Sequence, residues 1–327
     1  MLSMLRTTKR CILNCALVLL TSLVGIASAQ TSWPTRPVKI VVPFPSGTSP
    51  DIVARLLSQK LSERLGQQFV VENRAGAGGI LGTELVAKSA PDGHTVLMTV
   101  NSIMAMNPFI YKKLPYDPVK DFQSVSTVSA VSYVLIANKN FKHKTLVDLF
   151  SAAKANPKSI NYASMGQGGA GHVVVELMSS QANIELMHIP YKAGALVDVI
   201  SGQVPLILQP TTTALEQIKN GNVFGLGVTH PKRIASLPDV PAIAEFLPGF
   251  NGDGWQGLVM PAATPMPIVE QLQKEVSIIL AMPDVMAKFA SLGIEPWPST
   301  PKQMETIIAQ ELDKWGSVIR RAKIEPM

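Results

Sequence analysis

Two glycine-bearing loops carry the residue types best suited to chemistry in this 327-residue chain. The chemistry they suit is the holding of a small anion. The first loop, Pro45-Ser46-Gly47-Thr48, stands between an apolar run at 38–44 and a segment that reads as a helix over about 49–65. The second, Gly166-Gln167-Gly168-Gly169-Ala170-Gly171, stands between an apolar run at 160–163 and a helical pattern at 171–181. Free amides at a helix start, together with the positive end of the helix dipole, hold a carboxylate or phosphate without a charged side chain. Glycine in such a loop lets the backbone come close to the ligand.

Other chemistries are weighed against this one residue by residue. The second loop is a literal G-x-G-x-x-G with Glu185 near the distance of a ribose-binding acid, which taken alone says dinucleotide. An export signal, an internal position and the lack of an accompanying acid–base pair favour a smaller anion instead. Gly76, Gly78, Gly79 and Gly82 resemble a phosphate loop, but no Lys-Ser/Thr follows them, so a tight turn and close helix packing are expected. No G-x-S-x-G elbow is present to build a hydrolase triad. The histidines His94, His143, His172, His188 and His230 show no metal-ligand spacing. Of these, His172 falls in the first turn of the glycine-rich helix and is open to a structural hydrogen bond or a ligand contact. Asp51 and Arg55, at i and i+4, are an ordinary helix pair or a device that orders the first loop. Lys192, in the loop Tyr191-Lys192-Ala193-Gly194, is either a carboxylate partner or a solvated lysine. Met98, Met104, Met106 and Met165 are pocket wall or core, and Trp255 stacks on a ligand or packs at a crossing.

These residues must be positioned by alternating strands and helices. Short apolar runs at 38–44, 69–71, 95–100, 134–137, 160–163, 187–189, 204–208, 223–228 and 258–260 alternate with helical patterns, which predicts α/β architecture with largely parallel sheets. Ser49 is the expected cap of the first helix, with Pro50 at its first position and Gly66 at its end. Three further helices are expected from about Pro267, Pro283 and Pro301. Arg6, Lys9 and Arg10 before an apolar run to Ile26, then Ala27-Ser28-Ala29, read as a signal peptide over 1–29. Cys11 and Cys15 both fall inside it, so a mature chain without thiols is expected. Removing its three positive charges lowers the formal net charge from +6 to +3. Scattered charge of that size gives no case for nucleic acid. About 300 mature residues exceed what one core usually serves, so two domains are expected.

The stretches 33–44 (WPTRPVKIVVPF), 51–55 (DIVAR), 66–67 (GQ), 70–79 (VVENRAGAGG), 91–95 (PDGHT), 114–118 (LPYDP), 120–122 (KDF), 188–192 (HIPYK), 202–204 (GQV), 237–241 (LPDVP) and 314–315 (KW) resemble the Bug receptors, the periplasmic solute-binding proteins of tripartite tricarboxylate transporters. The likeness spans almost the whole mature chain. One position departs from it: Thr48 follows Gly47 where the family usually carries a second glycine. The resemblance implies two Rossmann-like α/β domains joined by a hinge, with the ligand cleft between them. The first lobe would hold 30–130 and 253–327, the second 131–252, with crossings near 126–132 and 250–255.

The ligand so implied is a small organic carboxylate, either a dicarboxylate or an aromatic, terephthalate-like acid. Expected pocket residues are Phe44, Ser46, Gly47, Thr48, Asn101 and Ser102 from the first lobe. From the second come Ser164, Met165, Gly166, Gly168, His172, Tyr191, Lys192, Ala193 and Gln209. No catalytic residue, cofactor or metal is expected, and the expected partners are membrane permease subunits, with the receptor itself a periplasmic monomer. Two other readings stay open on the residues alone: an exported enzyme acting on an acyl or phosphate substrate, and a sensor presenting its ligand to a two-component system.

Overall fold

The computed structural model of the protein describes residues 33–327. The expected signal peptide, with Cys11, Cys15 and its cleavage point, lies outside the described residues. Arg36–Met327 form one compact unit, which carries two sheets in a bilobed α/β fold.

The first sheet begins with β1 (Val38–Val42), β2 (Phe69–Asn73) and β3 (Thr95–Val100), β1 lying between and parallel to the other two. Four of the five β1 residues are buried and only Lys39 faces solvent, as expected of a strand covered on both faces. Helix α1 (Ser49–Leu65) joins β1 to β2 and buries Val53, Ala54, Leu57 and Leu61 along one side. Gly66 ends it at φ 68, its amide bonding the Ser62 carbonyl, a left-handed conformation that glycine adopts without steric cost. The cap differs from expectation by one residue: Thr48 is the N-cap, with no side-chain cap bond, and Ser49 is the first helical residue. The physical reason is that both hydroxyls are committed elsewhere. Thr48 Oγ1 donates to the Pro45 carbonyl at 2.7 Å, and Ser49 Oγ accepts from Gln256 Nε2 at 2.7 Å.

Helix α2 (Ile80–Ala87) leads to β3, after which the chain enters a π-helical turn, Ser102–Met106, and the short helix α3 (Asn107–Ile110). A Cβ on Gly82 of α2 would lie 2.8 Å from the Arg74 carbonyl and 2.9 Å from Pro43 Cβ, so that glycine serves close helix–strand packing. The expectation of largely parallel sheets needs correction. β4 (Phe122–Val131), β10 (Gly254–Pro261) and β11 (Glu295–Pro296) join the first sheet antiparallel, giving the order β11-β4-β10-β3-β1-β2.

The second sheet contains β5 (Tyr133–Asn138), β6 (Asn161–Ser164), β7 (Met187–Pro190), β8 (Leu206–Pro210) and β9 (Val223–Val228), in the order β7-β6-β8-β5-β9. Here β6 is parallel to β7 and β8, while β5 is antiparallel to β8 and β9. Its helices are α4 (Leu146–Ala155), α5 (Ala170–Ala182), α6 (Ala195–Ser201) and α7 (Thr211–Lys219). Thr145 caps α4 by accepting from the Asp148 amide.

Two crossings join the sheets. Ser132 alone separates β4 from β5, and residues 229–253 lead from β9 back to β10. Helices α8 (Met266–Leu280), α9 (Pro283–Ser291) and α10 (Pro301–Arg321) complete the chain. α10 packs Met304 and Ile308 with Val41, Leu97 and Trp255 of the first sheet. Further along, its Trp315, Val318 and Ile319 share a core with Leu135 and Val174 of the second lobe.

Candidate functional site

Because β1, β2 and β3 run parallel, the segments after β1 and β3 emerge at one edge of the first sheet. The same holds for the segments after β6, β7 and β8 in the second. Carboxyl edges of this kind are where open α/β sheets bind ligands. The two edges meet: a Cβ on Gly168 would lie 2.2 Å from Ile110 of the first lobe, and Gln167 Nε2 donates to the Glu325 carbonyl at 3.5 Å.

The first loop is ordered by its own carboxylate. Gly47 N–H donates to Asp51 Oδ2 at 2.9 Å, Ser46 Oγ donates to the same oxygen at 3.3 Å, and Arg55 Nε donates at 3.0 Å. Asn73 Nδ2 donates to Asp51 Oδ1 at 2.8 Å and to the Phe44 carbonyl at 3.1 Å. Burial pushes the Asp51 carboxyl up, but the hydrogen bonds from Arg55, Gly47 and Asn73 outweigh it and hold the group below the usual carboxylate range. Asp51 thus takes one of the amides that the sequence offered to a ligand, and it sets the loop's shape.

The second loop is held by a histidine. Gly168 N–H donates to His172 Nδ1 at 3.0 Å, so in neutral His172 the ring proton sits on Nε2. His172 stacks on His188 with ring centroids 3.8 Å apart and planes 5° apart, and Tyr162 stacks on the far face of the pair's His188 at 5.0 Å. His188 Nε2 lies 2.6 Å from Ser164 Oγ, which accepts the Gly166 amide at 3.2 Å and lies 3.0 Å from the Gly166 carbonyl. Burial, with the neighbouring His188, brings His172 down to about 3, and burial brings His188 down to about 4. Both rings are therefore neutral at pH 7. Tyr162 hydroxyl donates to Glu176 Oε1 at 2.6 Å, and burial pushes the Glu176 carboxyl up. The Ser164–His188 contact has the spacing of a nucleophile and its base. However, Ser164 is buried and tied to Gly166, and no carboxylate orients His188 among the described residues. Its role is to fix the loop.

Asn101 closes β3 at the same edge and is 1% exposed. Neither its Nδ2 nor its Oδ1 has a hydrogen-bond partner among the described residues, and the same is true of Trp255 Nε1 and Thr99 Oγ1. A Cβ on Gly254 would lie 2.7 Å from Asn101 Oδ1 and 2.9 Å from the Tyr133 hydroxyl, so Asn101 abuts both strands of the crossings.

The remaining expected site residues fall around these groups. Phe44 and Ser102 are half-buried on the first edge. Tyr191 N–H donates to the Ser164 carbonyl at 2.9 Å and its hydroxyl to Asp198 Oδ2 at 2.8 Å. Lys192 and Ala193 are exposed. Gln209 is buried, its Oε1 accepting from Thr213 Oγ1 at 3.2 Å. Met98, Met104 and Met106 belong to the core, whereas Met165 is 62% exposed on the second loop. Sequence reasoning did not single out Tyr162, Glu176 or Asp253, and it passed over His188. The register that sets His188 beside Tyr162 has no local signal in the sequence.

The sequence profile described as "Tripartite tricarboxylate transporter family receptor" matches residues 53–324. Protein BugT of Bordetella pertussis is 35% identical over 302 residues, which cover 90% of this chain and 93% of BugT. Among solved structures, R. palustris Rpa4515 with adipate is similar at a TM-score of 0.85 and 34% identity, covering 90% of this chain and 100% of that one. MatC from Rhodopseudomonas palustris with bound malate is similar at 0.80 and 31%, covering 88% and 100%. Relatives and fold neighbours of this kind are solute-binding receptors, not enzymes, and the chain belongs to the receptor family of the tripartite tricarboxylate transporters.

Proposed function

We propose that this protein is a periplasmic receptor that closes its two lobes, 30–130 with 253–327 and 131–252, on a small organic carboxylate and hands it to the permease subunits of a tripartite tricarboxylate-type transporter. The observation that carries the reading is the pair of glycine loops at the starts of α1 and α5, on edges that meet at Gly168 and Ile110. Amides and hydroxyls of Ser46, Gly47, Ser164 and Gly166 would hold one carboxylate. Phe44, Asn101, Ser102, Met165, Gly168, Tyr191, Ala193 and Gln209 would surround the rest, with Thr48 and Lys192 at the rim and His172 behind the second loop. The two ligand-bound relatives carry adipate and malate, which favours an aliphatic diacid over a terephthalate-like ring.

The test is a calorimetric and thermal-shift panel on the exported chain, with adipate, malate, succinate and terephthalate, and inorganic phosphate as the control. A ligand of the folded state present at one hundred times its Kd should stabilise by about 2.7 kcal/mol. Size exclusion of the same material should give a monomer, and intact mass should place its first residue near Gln30. Binding of phosphate but of no carboxylate would remove this reading in favour of an oxyanion receptor.

A further inference from the structure

The buried polar groups left without partners gather where β3 and β10 end. Gln256 pairs with Val100 and Gly257 with Thr99. By strand alternation, Thr99, Asn101 and Trp255 therefore project from one face of the sheet, side by side. Asn101 is 1%, Thr99 0% and Trp255 3% exposed. The Asn101 amide, the Thr99 hydroxyl and the Trp255 indole N–H all lack partners among the described residues. Buried polar groups are seldom left so, and a concentration of them at a ligand edge marks something that binds there.

The chemistry of the occupant follows from what is missing. An asparagine amide offers a donor and an acceptor next to each other. A carboxylate or keto oxygen satisfies Nδ2 and leaves Oδ1 bare. A hydroxyl both accepts from Nδ2 and donates to Oδ1, and an adjoining carboxylate oxygen supplies the acceptor that Trp255 Nε1 needs. An ammonium could also donate to Oδ1, but it needs a free counter-charge. The two carboxylates whose charge reaches the Tyr133 hydroxyl are Asp253 and Glu311. Asp253 accepts from Ser132, Thr229 and His230, and Glu311 from Trp315 and Lys314.

We infer that Asn101 reads a hydroxyl group on the bound acid, so that the ligand class of this receptor is the hydroxycarboxylates, with the hydroxyl turned toward Gly254 and Tyr133. This rests on the carboxylate reading above. It narrows that reading from diacids in general to those that carry a donor.

The test is calorimetry of the exported chain with three acids of one carbon skeleton: malate, its deoxy analogue succinate, and its amino analogue aspartate. The expected result is malate tighter than succinate by about tenfold or more, since a site built to pair a hydroxyl strongly rejects the analogue lacking it. Asn101→Leu should bring that ratio to near one while leaving succinate binding nearly unchanged. Trp255→Phe removes only the indole N–H and should weaken both acids by the same factor. Equal wild-type affinities for malate and succinate would overturn the inference, leaving ordered water as the partner of Asn101 and the carboxylate reading intact. Aspartate as the tightest ligand would likewise overturn it. A wild-type protein that binds none of the three, nor any other carboxylate, fails at the carboxylate reading and takes this inference with it. The wild-type ratio decides the matter even where Asn101→Leu does not fold.

Discussion

Asp51 and Thr48 divide the work of the first loop in a way that side-chain chemistry explains. Asp51 is 2% exposed and gathers Gly47, Ser46, Arg55 and Asn73, so Asp51→Ala leaves several donors unpaired. Hydrogen bonds to a charged group contribute about 1.5–3 kcal/mol each, and the variant should lose at least that much in urea unfolding, with ligand affinity falling as the loop loosens. Its folded pKa is depressed. The stabilisation is therefore present above the unfolded carboxylate pKa and is lost as pH falls below it. Thr48 spends its proton on the Pro45 carbonyl, and Thr48→Val should cost about 0.5–1.5 kcal/mol of stability. The histidine stack has its own acid window, at higher pH. With His172 at about 3 and His188 at about 4, the unfolded chain takes up protons below pH ~6.5 that the folded chain refuses. Stability is full above that pH and falls toward pH 4, with a slope of about 1.4 kcal/mol per pH unit for each imidazole. His188→Phe keeps a flat ring against His172 and removes one titrating group. Unfolding between pH 7 and 4.5 should then show about half the slope.

At the scale of elements, glycines mark where helices and lobes come closest. Gly168 has φ 75 and faces Ile110, so Gly168→Ala meets both backbone strain and a side chain of the other lobe. Gly194, at φ 80, faces open space and offers the comparison: Gly194→Ala should cost about 1 kcal/mol, and Gly168→Ala more by the 1–3 kcal/mol typical of overpacking, read as the difference in thermal unfolding. Much of this layer was legible in the sequence. The helix 146–155 and the strand 223–228 were expected with the bounds they have, because apolar periodicity and a Thr145 cap are local signals. β4 was not foreseen as a strand, since its serines at 124, 126 and 129 resemble a polar crossing. Those side chains are in fact buried and bonded: Ser126 Oγ donates to the Ser299 carbonyl at 2.9 Å, across 173 residues. The antiparallel insertion of β10 beside β3 is likewise a long-range pairing with no local trace. At the site, Asn101 was legible as a residue after an apolar strand, but its unpaired amide was not, because partners exist only in the folded chain. The stack of His172 on His188 was hidden for the same reason.

The molecule as a whole turns on Asp253, where the returning crossing meets the outgoing one. Its carboxylate accepts from Ser132 Oγ at 3.1 Å in one crossing and from Thr229 Oγ1 at 2.7 Å in the other, and His230 Nδ1 lies 2.7 Å away. Thr229 Oγ1 also accepts from the Tyr133 amide at 2.8 Å, so one short chain of bonds ties β5, β9 and β10 together. Burial pushes the Asp253 carboxyl up, and the bonds from Thr229, His230 and Ser132 offset this only in part. The charge is therefore kept at a cost, and its return is a crossing in which both strands move together. Asp253→Ala would leave Ser132, Thr229 and His230 without their acceptor, a loss of about 2–4 kcal/mol by the usual cost of breaking a buried polar set. Its effect on motion should be larger than its effect on stability. If the lobes close on a ligand by rotation about these crossings, the wild-type protein should show a smaller radius of gyration with a saturating carboxylate in small-angle scattering, since only the closed state lets both edges contact the ligand. Asp253→Ala, at a temperature where it remains folded, should show a larger radius without ligand and a weaker affinity, because binding must then also order the crossing. A wild-type radius unchanged by a ligand that calorimetry shows to be bound would mean that the site is preformed, with Asp253 serving stability alone.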